Sequence, residues 1–124
     1  MSRQRRKMSR IALLAAGAIA TLAIAAPVSA MGPTKLTGSV GPGFTISLKK
    51  GTTKVKTLKP GKYSITVSDK SNIHNFHLIG PGVNKMITTI GFKGTKTITV
   101  TLKKGRYTYK CDPHPNMIGH FTVK

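Results

Sequence analysis

The sequence predicts an all-β sandwich, and three observations carry that expectation. Short runs alternate apolar and polar residues, Gly and Pro recur between those runs, and one corner motif occurs twice. Phe44-Thr45-Ile46-Ser47-Leu48, Tyr63-Ser64-Ile65-Thr66-Val67 and Ile98-Thr99-Val100-Thr101-Leu102 each have a period of two, which gives a strand one buried and one wet face. Between them stand Gly41-Pro42-Gly43, Lys50-Gly51, Pro60-Gly61, Gly80-Pro81-Gly82, Gly91, Gly94 and Gly105, the punctuation of many short strands. Thr57-Leu58-Lys59-Pro60-Gly61-Lys62-Tyr63 is echoed by Thr101-Leu102-Lys103-Lys104-Gly105-Arg106-Tyr107. Both pass through a turn into a Tyr-led strand, so we read them as equivalent corners of two sheets, with structural tyrosines. No stretch beyond residue 30 carries a helical stripe.

Residues 1–30 stand apart from this pattern. A basic head (Arg3, Arg5, Arg6, Lys7, Arg10) leads into an apolar run from Ile11 to Ala26, and Val28-Ser29-Ala30 offers small residues for cleavage. That is the build of a secretory signal cut after Ala30. Arg5-Arg6 raises a twin-arginine route, against which Ser9 stands where that signal prefers an apolar residue. Uncleaved, the same run would serve as an N-terminal anchor at the short end of membrane-spanning length. Residues 31–124 are then one domain, exported to the periplasm, the exterior or the cell surface, and small enough that one core must serve it all.

Charge narrows the partners. Five of the 21 Lys and Arg precede residue 31, leaving 16 against Asp69 and Asp112, a net +14 for residues 31–124 with His neutral. Such a field favours anionic partners, whether cell-wall polymers at an anionic cell surface, acidic lipid, acidic proteins or nucleic acid. Lysines at alternate and turn positions nonetheless make a solvated sheet face and its edges the better fit for this charge. No aromatic stripe or basic helix accompanies it, which argues against specific nucleic-acid binding. Two carboxylates also leave little for acid–base catalysis, so an enzyme is not expected.

The chemistry gathers at Tyr109-Lys110-Cys111-Asp112-Pro113-His114-Pro115-Asn116-Met117. Cys111 has no cysteine partner for a disulfide, although an oxidising compartment makes a free thiol a liability unless something holds it. Pro113 and Pro115 forbid a helix, so the segment must turn as a loop after the strand that ends in Lys110. On such a loop Cys111, His114 and Met117, three residues apart, can meet at one point. Thiolate, imidazole and thioether together suit an ion cycling between Cu(I) and Cu(II), for which His₂Cys with a long axial Met is the known arrangement. A second imidazole is needed. Ile73-His74-Asn75-Phe76-His77-Leu78 offers His74 and His77 on opposite faces of an extended segment. His74 shares its side with Phe76 and lies beside the loop at Lys70-Ser71-Asn72, so it is taken as the ligand, with His77 behind it or at the surface.

His74-Asn75 ahead of a strand ending in Tyr-x-Cys-x-Pro-His-Pro-x-Met resembles the type 1 copper site of the cupredoxins. The Cys-x₂-His-x₂-Met spacing and the Pro after the loop His are closer to amicyanin than to plastocyanin, and the likeness runs from about Val40 onward. It implies a Greek-key β-sandwich of seven or eight strands, acting as a monomer that transfers single electrons through one copper ion. It further implies His74, Cys111 and His114 as equatorial ligands, Met117 as the axial one, and Asn75 as the hydrogen-bonding link between the two ligand segments. The loop His should lie under a small apolar surface, for which Ile73, Pro113, Pro115 and Gly41-Pro42-Gly43 are available. Acidic docking patches, usual in plastocyanins, have no counterpart here, so an electron partner should itself be acidic and its binding weakened by salt. His120, after Gly119, is left as a surface residue without a role.

Other readings fit less well. Structural zinc asks for four firm N or S ligands, and Met is a poor fourth. A Cys111–His114 nucleophile pair lacks an orienting third group. Copper capture or delivery without electron transfer uses the same ligands and stays open as the alternative.

Overall fold

The computed structural model describes residues 32–124 together with Gly17; apart from that glycine, the expected export signal, residues 1–30, lies outside the described part. Ten strands follow one another: β1 (Thr34–Val40), β2 (Ile46–Lys50), β3 (Thr53–Lys54), β4 (Thr57–Leu58), β5 (Gly61–Asp69), β6 (Phe76–Gly80), β7 (Val83–Thr88), β8 (Gly94–Leu102), β9 (Gly105–Lys110) and β10 (Ile118–Val123). Among the described residues there is no helix. The count exceeds the seven or eight that the resemblance implied because it includes β3 and β4, which are only two residues each. One sheet has the order β3-β2-β1-β5-β8 and the other β4-β10-β9-β6-β7. The chain moves back and forth between them, so sheet neighbours are often distant in sequence, the Greek-key sandwich that the resemblance implied.

The period of two places Leu36, Val40, Leu48, Ile65 and Val67 of the first sheet on its inner face, where they meet Leu78, Tyr107, Tyr109, Phe121 and Val123 of the second. Withdrawing each such side chain from water is worth about 1.5–3 kcal/mol. Aromatic rings fill the centre in stacked pairs, Phe76 with Tyr109 at 5.6 Å and Tyr107 with Phe121 at 5.1 Å between centroids. Gly38 makes room for this packing: a Cβ there would press on the Phe76 ring at 3.0 Å. The same glycine interrupts the apolar alternation of β1.

The repeated corner motif has the same use in both sheets. The Tyr63 hydroxyl donates to the carbonyl of Lys59, and the Tyr107 hydroxyl donates to the carbonyl of Lys103. Each bond spans four residues and pins a turn to the strand that follows. One strand expectation fails at its first residue. Phe44, placed by its alternation with Ile46 and Leu48 on a buried face, stands before β2 and is 66% exposed. β2 begins only at Ile46 because Gly41, with φ +75°, turns the chain, and its N–H closes onto the carbonyl of Thr45 at 2.9 Å.

Candidate metal centre

The Cys111–Met117 loop joins β9 to β10, and its own hydrogen bonds explain why residues three apart converge. The His114 N–H donates to the Cys111 carbonyl (3.3 Å), and the Met117 N–H donates to the His114 carbonyl (3.0 Å). These are two tight turns in succession. The Cys111 N–H then closes the loop onto the carbonyl of Met117 at 3.0 Å. Because Pro113 and Pro115 have no N–H to offer, the backbone cannot extend these turns into a helix.

His74 comes from the connection between β5 and β6, two residues before the strand at whose start it was expected. It is fully buried, with Cys111 and Met117 each 1% exposed, while His114 is half-buried. The Nδ1 atoms of His74 and His114 lie 3.0 Å apart, and the Cys111 Sγ lies 3.3 Å from His114 Nδ1 and 3.7 Å from His74 Nδ1. Three lone pairs therefore face one small space at the tip of the sandwich. A point equidistant from the three donors is about 2 Å from each, the length of a metal–imidazole bond. The residues thus fit a bound metal ion on geometry as well as on donor chemistry.

Gly41 permits the close approach that seats His74. A Cβ at that position would lie 3.0 Å from His74 Cδ2 and 3.3 Å from the Ser71 side chain. Behind the donors runs a polar tie between the two ligand segments. The Asp112 N–H donates to Asn75 Oδ1 at 2.7 Å, and Asn75 Nδ2 donates to the Asp112 carboxylate at 2.8 Å. The same carboxylate lies 2.9 Å from His77 Nδ1, and His77 Nε2 in turn meets Asn84 Oδ1. Partial burial pushes the Asp112 carboxyl up, but hydrogen bonds from His77 and Asn75 and the charges of His77 and Lys110 outweigh it, holding the group below the usual carboxylate range. The structure thus brings His74, Cys111, His114 and Met117 to one end of the sandwich and places His77 behind them, aimed at Asp112. His120 is exposed and bonded to the Thr108 hydroxyl at 2.9 Å.

Phe44 is the residue that sequence reasoning missed. Its ring meets His114 edge-on at 5.0 Å and His74 at 5.7 Å. With His114, Pro115, Asn116 and Met117 it lines a shallow apolar depression of about 210 Å³. Its place directly after Gly41-Pro42-Gly43, a turn already assigned to this end, was the available signal.

A family model described as copper-binding proteins of the plastocyanin/azurin family matches residues 45–124. The chain belongs to that family. Its members, the cupredoxins, are in general blue copper electron carriers and not enzymes, and the cofactor of this cupredoxin is copper. Among solved structures, auracyanin A, a "blue" copper protein from the green thermophilic photosynthetic bacterium Chloroflexus aurantiacus, aligns with a TM-score of 0.53 and 18% identity over 75% of this chain and 100% of its own. A rusticyanin structure aligns at 0.51 with 21% identity, over 73% of this chain and 76% of its own. A reduced amicyanin variant aligns at 0.47 with 17% identity, over 77% and 88%. No curated protein sequence matches the chain significantly. At such identities the structural likeness of this cupredoxin to its neighbours is one of fold.

Proposed function

We propose that this cupredoxin is an exported, monomeric one-electron carrier whose copper is held by His74, Cys111 and His114, with Met117 as the axial donor. The observation that carries the reading is the triangle of two imidazole nitrogens and one thiol sulfur, 3.0–3.7 Å on a side, at the tip of the sandwich. When bound, copper supplies the Cu(I)/Cu(II) couple, for which imidazole serves both states and sulfur favours the reduced one.

The protein's part is to hold those donors still and to leave one edge accessible. Buried His74, Cys111 and Met117 shield the site from water, while half-buried His114 reaches the apolar depression beside Phe44. A partner seated there comes within a few ångströms of a ligand ring. The Asn75–Asp112 tie keeps the two ligand segments in register through a change of charge, which limits the rearrangement that electron transfer would otherwise require. With 16 cations against two carboxylates in residues 31–124, the redox partner is an acidic protein whose association weakens as salt rises. The basic-apolar-small pattern of residues 1–30 supports export to the periplasm, the exterior or the cell surface.

Copper capture or delivery is the competing use of the same donors. Burial of three of the four favours the shuttle, since a carrier must surrender its metal readily. Electron self-exchange by NMR line broadening, run beside chelator competition, separates the two. The shuttle exchanges electrons rapidly and keeps its copper against the chelator; slow self-exchange with ready metal loss overturns the proposal.

A further inference from the structure

The end of the sandwich opposite the copper ligands carries a second feature that the electron-transfer reading does not use. A groove of about 600 Å³ opens there between the start of β5, the end of β2, β4 and the end of β10. Lys50, Lys59, Lys62 and Lys124 line it, together with the hydroxyl-bearing Thr34 and Thr57. The β5 strand runs nine residues from this groove at Gly61 to Asp69 beside the metal end, a separation of about 26 Å. Lys103, Lys104 and Arg106 add to the same end, at the turn between Leu102, which pairs with Gly61, and Gly105, which pairs with Val123.

This charge has no internal partner. The only two carboxylate side chains in the chain are Asp69, at the far end of β5, and Asp112, in the metal-site loop. Among the described residues the ion pairs involve Asp112 alone, and none reaches a groove lysine. Clustered like charges repel one another and destabilise the compact state unless an external anion neutralises them. The groove is also preformed. The Tyr63 hydroxyl bond to Lys59 fixes the Lys59–Lys62 turn, and the Lys124 N–H donates to the Leu58 carbonyl at 3.0 Å across its floor.

We propose that this groove binds a linear polyol phosphate polymer, a flexible chain of hydroxyl-rich units joined by phosphodiesters, and thereby moors the protein with its copper end free. The side chains select among anions. All but one of the 16 cations in residues 31–124 are lysines, mobile point charges that bind phosphate without the bidentate fork that Arg offers to carboxylate and phosphate alike. No exposed aromatic lines the groove, which removes the stacking platform that a single-stranded nucleic acid needs. Apart from the ring of Pro60, no exposed apolar side chain lines it, whereas insertion into a lipid surface would require an apolar face. Thr34 and Thr57 in the groove, and the Thr66–Thr97 hydroxyl pair further along β5 and β8, offer hydrogen bonds to polyol hydroxyls.

The test titrates the copper-loaded protein with poly(glycerol phosphate) and follows binding by calorimetry at several salt concentrations. The triple variant Lys50→Gln/Lys59→Gln/Lys62→Gln binds at least about tenfold more weakly and with a shallower salt dependence, because three phosphate contacts are gone. Its visible spectrum matches the parent, which shows that the metal end is intact. A charge-matched control, Lys70→Gln/Lys85→Gln/Lys93→Gln, keeps parental affinity. Equal losses in both triples would reduce the effect to net charge and overturn the site. Equal or tighter binding of a single-stranded oligonucleotide, of polygalacturonate or of phosphatidylglycerol vesicles would overturn the ligand chemistry. The mooring and the electron-transfer readings stand or fall separately, since polymer binding does not depend on electron self-exchange.

Discussion

Substituting Asn75 by Ala severs the tie between the two ligand segments, and its cost can be worked from the contacts. Asn75 is 1% exposed and makes two short hydrogen bonds to Asp112, one accepting from its N–H at 2.7 Å and one donating to its carboxylate at 2.8 Å. A neutral bond contributes about 0.5–1.5 kcal/mol and one to a charged acceptor about 1.5–3 kcal/mol. The pair should therefore be worth about 3 kcal/mol, and for a domain of this size that is a fall in Tm of about 12–24 °C. Urea denaturation of the metal-free protein measures it without the contribution of bound copper. A double-mutant cycle with Asp112→Ala isolates the carboxylate half, since that variant keeps the backbone bond; the two changes should be non-additive by about 1.5 kcal/mol or more. A loss below about 1 kcal/mol for Asn75→Ala, or strict additivity in the cycle, would refute the claim that these bonds hold the ligand segments in register.

Three further outcomes are expected. Met117→Leu keeps the strong red absorption of thiolate-bound Cu(II) but raises the reduction potential, because loss of a weak axial donor disfavours Cu(II); a potential that falls shows that Met117 is not the axial donor. Gly119→Ala destabilises by about 1–3 kcal/mol in urea titrations, since its Cβ would overlap the Tyr109 ring, and an unchanged midpoint would show that the ring has room to move. The depressed Asp112 carboxyl adds stability that is fully present above the ordinary carboxylate range near pH 4 and is lost as pH falls through its lowered folded value. Asp112→Asn should flatten that acid limb of the stability–pH curve, and an identical curve would deny the carboxylate its role.

The metal-site loop was legible because its residues leave few conformations open: two prolines bar a helix, and the three-residue spacing of Cys111, His114 and Met117 matches the two tight turns that form. The corners were legible because Tyr63 and Tyr107 each repeat a turn-plus-Tyr pattern whose hydroxyl bond is local. Features set by long-range packing were not. β1 went unnamed because Gly38 breaks its alternation to admit the Phe76 ring, a contact invisible in the local sequence. β7 went unnamed because Val83, Ile87 and Thr88 are buried out of step, with the register shifting between Phe76 and His77 where β7 pairs with β6. Phe44 was placed in the core by its alternation with Ile46 and Leu48, yet the turn at Gly41 carries it out of the strand and onto the imidazoles. That Asp112 would join Asn75 to His77 depended on β6 and β9, distant in sequence, pairing side by side in one sheet.

Titration of the metal-free protein with Cu(II) tests the central claim most directly. Intense red absorption that saturates at one copper per chain, and that disappears in Cys111→Ser and in His74→Ala, is the result the geometry predicts. A pale complex without the thiolate band, or copper bound equally well by the Cys111→Ser protein, would contradict it.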